Sequence, residues 1–256
     1  MSYDEIVKRR VSIISQWEKS AEYAQLCMEL QRKRKLLIDV GLEFIHCHNV
    51  DVIKNLHPAT KLEYAVGGNI HRGVYCPSPV YDLLNGKSYR GRILKRVTAV
   101  SKISHRFGFD DDGNLLYADN FCDREVYSTE YFVTRDHIRY GITVNRDGFL
   151  NAISEEIFCG SQLVQYTFAQ LLPDDNGYFC ENIYVEKYNY DEQGLKSCEV
   201  EYFQPYVNAL RKDHCEFERK DGFLYAYICE SYPLNMIHDG SFSKMRYHIS
   251  LKRKAW

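Results

Sequence analysis

The stretch FIHCHNVDVIKNLHP, Phe44 to Pro58, holds the densest set of side chains able to do chemistry: His46, Cys47, His48 and His57. His-x-His on one strand face is a metal-ligand spacing, and a neighbouring cysteine is a soft ligand. A zinc or nickel ion there would serve a metal-dependent nuclease or hydrolase. The paired cysteines of a zinc knuckle are missing. We therefore expect histidines and a thiol at a loop or strand edge, with no metal, no cofactor and no catalytic residue.

Two other places invite the same question. His214 precedes Cys215, and Cys229 follows; but Cys215 alternates with Phe217 and should face a core, where a thiol is inert. Gly67-Gly68-Asn69-Ile70-His71-Arg72-Gly73 is glycine-rich yet lacks the Lys-Ser/Thr of a phosphate loop and the spacing of a dinucleotide loop. A strand bulge or a long turn is the expectation there.

The acids are clustered. Asp110 to Glu130 contains seven acids against Arg124, and Pro173 to Tyr202 contains eight against Lys187 and Lys196. Acidic hairpin tips keep sheet edges solvated. They can also steer a basic protein. We expect a partner-binding set of Asp110, Asp111, Asp112, Asp174, Asp175, Glu181, Tyr188, Tyr190, Asp191 and Glu192, with exposed tyrosines as anchors. The three aspartates lack the spacing and distal Glu of an EF-hand calcium loop.

The chain that must position these groups has 256 residues and a net charge of −2. A general nucleic-acid binder would show a basic excess. No apolar run reaches the ~18 residues of a membrane span, and the start MSYDEIVKRR is not a secretory signal. The nine cysteines are scattered, without a Cys-x-x-Cys pair, so reduced thiols in a cytoplasmic protein are expected. Tyrosine is abundant, at 21 residues, which suits half-buried strands.

Ser2 and Glu5 make a capping-box pattern. After it Ile6, Ile13, Trp17, Ala21, Ala24 and Met28 recur at helical spacing, predicting one long helix from Tyr3 to Lys33. The basic run Arg32 to Lys35 would complement its C-terminal dipole. Leu36 to Ile45 fits either a helix or a buried strand.

Beyond Leu62 the pattern changes. Polar clusters ending in Gly113, Gly148, Gly177, Gly194 and Gly222, with Gly86 and Gly240 less clear, are flanked by alternating residues. Asn, Asp and Gly supply the positive φ of tight hairpin turns, and period two gives each strand a core face. Gaps between these glycines run from 17 to 35 residues. One hairpin step is about 17 residues, so the longer gaps should hide further turns.

The best unit, Tyr188, Tyr190, Asp191, Gly194 and Leu195, resembles the YD repeats of the rearrangement-hotspot (Rhs) and teneurin families, as do Phe107, Phe109, Asp110, Gly113 and Leu115. The resemblance implies a scaffold of twisted antiparallel sheets with no catalytic residue to carry over. His48, Asn49 and His57 are faintly similar to the His-Asn-His nuclease motif, which implies a hairpin feeding a helix; here the segment follows a helix and ends at Pro58.

The expected fold is α+β, mainly β: an N-terminal helical segment over residues 1–60, then a large twisted antiparallel β-meander of repeated hairpins over 61–256. The expected function is a non-enzymatic cytoplasmic binding protein, an immunity protein that covers the active site of a basic bacterial toxin domain. Nucleic acid and membrane are not expected partners. The alternatives are a metal-dependent nuclease or hydrolase using His46, His48 and His57, or a degenerate Rhs-type structural fragment.

Overall fold

The computed structural model describes residues 2–47, 58–84, 89–97, 102–174, 177–205, 209–232 and 244–254. The chain is mainly antiparallel β-sheet with helices at its N-terminal end. It forms two compact units: 36–180, and 1–35 with 181–256.

The helical region differs from the single helix predicted. The capping box is present: Ser2 Oγ accepts from the Glu5 amide at 3.3 Å, and Glu5 Oε2 accepts from the Ser2 amide at 2.6 Å. Helix α1 spans Tyr3–Glu18 and α2 spans Ala21–Cys47. Ser20 causes the break, because its Oγ accepts from the Tyr23 amide at 3.1 Å and caps a new helix. The break resets the helical phase. Trp17 stays buried, but Ala21, Ala24 and Met28 are exposed, and the buried face of α2 runs through Tyr23, Leu26 and Leu30. The basic run 32–35 therefore lies inside α2 rather than at a helix end. Leu36 to Ile45 is helical.

In the 36–180 unit, the C-terminal part of α2 buries Leu37, Val40 and Phe44, spaced i, i+3, i+7 on one face. Gly41 sits in that stripe. A Cβ there would lie 2.5 Å from Ile153 Cδ1 and 2.8 Å from Leu150 Cδ2, so the absent side chain lets the helix close on the sheet.

That sheet contains β1 (Lys61–Val66), β2 (Arg92–Ile93), β3 (His105–Phe109), β4 (Leu115–Cys122), β5 (Glu125–Arg135), β6 (Ile138–Asn145), β7 (Leu150–Cys159) and β8 (Gln162–Asp174). β1 pairs with β2 and β3, and each strand from β3 to β8 pairs antiparallel with the next. Between Gly113 and Gly148 the chain reverses twice without glycine: Asp123 and Arg124, and later Asp136, take positive φ. Asp tolerates the left-handed region. The face opposite α2 is covered by 67–84, which holds a 3₁₀ turn (Gly73–Tyr75) and the single-turn helix α3 (Tyr81–Leu84). Tyr75 lies on Phe107 and Phe109, with ring centroids 4.7 and 5.4 Å away.

The other unit adds β9 (Gly177–Asp191) from Glu181 onward, β10 (Gly194–Gln204), β11 (Ala209–Lys220), β12 (Phe223–Tyr232) and β13 (Met245–Lys254). They pair in chain order, all antiparallel. The tight turns at Glu192–Gln193 and Asp221–Gly222 each leave two residues between paired positions. Leu195, Val200, Phe203 and Leu224 are among its most buried side chains.

Candidate functional site

The glycine-rich segment after β1 is a long turn rather than a strand bulge. It delivers Arg72 into the sheet. Arg72 has φ 62° and is 3% exposed. Ladder partners share a face, so the register places Glu130 and Phe132 of β5, Arg139 and Gly141 of β6, Ser154 and Glu156 of β7, and Tyr166 and Phe168 of β8 on the face it meets.

Arg72 Nε and Nη2 donate to the two Glu130 oxygens at 2.9 and 2.8 Å, Nη1 donates to Glu156 Oε1 at 2.7 Å, and Nη2 also reaches Ser154 Oγ at 3.0 Å. The guanidinium carbon lies 4.5 Å from the Phe132 ring centroid. Burial alone would make Glu130 a weaker acid; the Arg72 charge and His71 outweigh it and hold its carboxyl far below the usual carboxylate range. Burial likewise opposes the charge on Arg72, and Glu130 and Glu156 overcome it. Gly141 makes room for this clasp: a Cβ there would meet Glu130 Oε1 at 1.9 Å and Ser154 Oγ at 2.4 Å.

Two histidines flank the clasp. His71 Nδ1 lies 2.6 Å from the Tyr166 hydroxyl, and its Nε2 lies 3.1 Å from Glu130 Oε1 without the angle of a hydrogen bond. His105 is buried beside Gly73. Burial first, then the neighbouring His71, pushes its pKa down to about 4 despite the pull of Glu130. The cluster is buried and its charges are paired, so it holds the segment 67–84 on the sheet; Glu130 and Arg72 are too committed to exchange protons near neutral pH.

The 1–35/181–256 unit contains an open site of another kind. A cleft of about 320 Å³ is bounded by Trp17 and Glu22 on the helical side and by Glu199, Lys212, His214, Glu230 and Ser231 on the strands. Glu199, His214 and Glu230 stand in one cross-strand row. His214 Nδ1 contacts Glu199, and its Nε2 lies 3.5 Å from Glu216 Oε1. Partial burial opposes protonation of His214, but the Glu199 hydrogen bond and charge win and its pKa is raised. Lys212 Nζ reaches Glu22 Oε1 at 3.1 Å, and Lys244 Nζ reaches Glu230 Oε1 at 2.7 Å. This is a half-exposed surface of alternating charge that can take a small polar group.

Neither a protein-family model nor a curated protein matches this chain. Its chemistry must be read from its own geometry. Among the described residues, no group of three or more His, Cys, Asp or Glu is arranged to hold a metal ion, and no helix is long and apolar enough to cross a membrane.

The predicted binding residues are placed unequally. Asp111, Asp112 and Glu192 are exposed at turns, and Glu181 is half-buried on β9. Asp110 is a turn cap: its carboxylate accepts from the Asn114 amide at 2.7 Å and from Asn114 Nδ2 at 2.9 Å. Asp191 is exposed and bound by both Arg219 terminal nitrogens at 2.5 and 2.6 Å. Asp174 ends β8, and Asp175 lies outside the described residues. Tyr188 corrects the expectation of an exposed anchor. It is 5% exposed, and its hydroxyl, with that of Tyr184, donates to the buried Glu186. Tyr190 is half-buried, and burial pushes its phenol up to about 12. His46 and Cys47 are exposed at the end of α2, while His48, Asn49 and His57 lie outside the described residues.

The acidic clusters are also not uniformly solvated. Asp119 is fully buried, accepting from Thr129 Oγ1 at 2.6 Å and from Arg106 Nε at 2.7 Å. Glu130 and Glu186 are buried as well. For Glu130 and Glu156 the signal is present in the sequence: a Glu inside YSTEYF or ISEEIF, at a strand position that alternation buries, requires a buried cation or hydroxyl donor.

Proposed function

We propose that this chain is a non-enzymatic, cytoplasmic protein-binding protein, and more sharply an immunity protein that neutralises a basic toxin domain by covering its active site. The observation that carries this reading is the division of its carboxylates. Asp119, Glu130, Glu186 and Asp213 are buried and each has an internal partner. Asp111, Asp112 and Glu192 project at the tips of tight turns. The interior acids hold the fold, and the tip acids offer charge to a partner. Short turns on a sheet present those charges at low entropic cost. The finer architecture, a repetition of YD-type hairpins, belongs to the same proposal.

Affinity capture on the full chain from its native host, followed by mass spectrometry, tests it. One stoichiometric partner with a basic domain is expected, whose toxicity this protein suppresses in co-expression. Association should slow as salt rises, because charge steering is screened. Changing Asp111 and Asp112 to Lys should slow association further. A partner bound at a rate unchanged by salt and by those variants would remove the charge-steering mechanism. Repeated capture with nothing bound, with the candidate toxin expressed, would remove the immunity reading.

A further inference from the structure

Three cysteines stand side by side across the strands of the 1–35/181–256 unit. Cys198 of β10 is the ladder partner of Cys215 of β11, and Cys215 is the ladder partner of Cys229 of β12. Ladder partners share a face, so all three thiols belong to one row. The Cys215 and Cys229 sulfurs are 3.1 Å apart. Directly opposed residues of an antiparallel pair have Cα atoms about 4.5–5.5 Å apart, within the ~4.4–6.8 Å that a disulfide spans. Cys215 is completely buried, whereas Cys229 is 8% exposed.

We propose that Cys215 and Cys229 are a redox modification site, closed to a reversible disulfide by a small peroxide. Cys229 reacts first because it retains exposure. Its thiol ionises and the sulfur attacks one peroxide oxygen. The S–O bond forms as the O–O bond breaks, and the departing hydroxide takes up the released proton as water. The sulfur of Cys215 then attacks the Cys229 sulfenic acid. The S–S bond forms, the S–O bond breaks, and the leaving hydroxide carries off the Cys215 proton as a second water. Two thiols are oxidised by two electrons, and one peroxide is reduced to two waters.

The row makes this site selective rather than fast. The hydrogen bond between the pair, and then burial, push the Cys215 thiol up, so exposed Cys122 and Cys159 should be attacked sooner by peroxide. Those two have no thiol opposite them: Cys122 faces Glu125, and Cys159 faces Gln162. They should progress to higher oxides while the row closes to a disulfide. The bond would tie β11 to β12 across their turn and add a constraint that reduction removes.

The test treats the full chain with hydrogen peroxide, alkylates remaining thiols under denaturing conditions, and maps linked peptides with and without a reductant. The expected product is a Cys215–Cys229 link with the mass of two hydrogens lost, restored by dithiothreitol. Its melting temperature should exceed that of the reduced protein. Cys229→Ser should leave Cys198 and Cys215 as free thiols, because both are fully buried and the row has lost its exposed sulfur. Cys215→Ser should abolish the link, because Cys198 and Cys229 are then two strand spacings, about 9.6 Å, apart. Wild-type protein in which Cys215 and Cys229 both stay alkylatable after Cys122 and Cys159 are oxidised would overturn the proposal, whatever the variants do. So would links scattered among the cysteines without preference for the row.

Discussion

His105 and His214 both lie on antiparallel strands next to carboxylates, yet they titrate in opposite directions. His105 is enclosed near the Arg72–Glu130 clasp, where burial dominates and its pKa falls to about 4. His214 lines the open cleft of the other unit, where solvent softens the burial cost and Glu199 raises its pKa. The first region spends its acids on a buried guanidinium. The second leaves its ion pairs half in solvent. Sheet register supplies neighbours in both; depth decides whether those neighbours act as a lock or as a surface.

The largest expected effect comes from breaking the lock. Arg72→Met strands Glu130 and Glu156 without their cation, and equilibrium denaturation should show a loss of about 3–5 kcal/mol, as for other one-sided losses of buried pairs. A loss below about 1 kcal/mol would mean that the clasp is not a dry ion pair.

The two histidines sharpen the contrast through pH. His105 has a depressed folded pKa, so the unfolded chain binds its proton first as pH falls. Stability should drop by about 3 kcal/mol between about pH 6.5 and about pH 4, and His105→Gln should remove that slope. His214 has a raised folded pKa, so its contribution is fully present below about pH 6.5 and is lost as pH rises through the folded value. Denaturation at stepped pH should show the two slopes with opposite sign; the same sign for both would break the comparison.

Next in size is Gly141→Ala. It inserts a methyl into the space held by the Glu130 carboxylate and Ser154 hydroxyl, and a cost of about 1–3 kcal/mol is expected from overpacking. The smallest effect should be His214→Gln. Its partners are partly solvated, so thermal or chemical denaturation at pH 6 should change by less than about 1 kcal/mol. A larger loss would make the cleft a second buried lock.

The legible parts of this molecule are those that depend on local chemistry. Ser2 and Glu5 cap a helix because both partners are three residues apart. The turn glycines at 113, 148, 194 and 222 take positive φ because a tight reversal needs it. The turn at Asp123–Arg124 was hidden, since aspartate and arginine also serve many other roles. Ser20 is not legible as a cap, because a serine inside a helical pattern and a serine capping a new helix look alike until the Tyr23 amide points at it. Tyr188 shows the limit most clearly. Alternation places it on the same face as Tyr190, but only the enclosed Glu186 between Tyr184 and Tyr188 shows that this face is interior at that point.

The sequence by itself determined that the chain starts with a capped helix and continues as antiparallel strands, because capping, turn chemistry and period two act over a few residues. Only the tertiary structure decided that Arg72 and Glu130 are one clasp, that Gly141 is the space it occupies, and that Cys198, Cys215 and Cys229 form one row. Those groups are separated by 11 to 69 residues, and a sequence carries no measure of register: a one-residue slip of a strand turns every side chain to the other face.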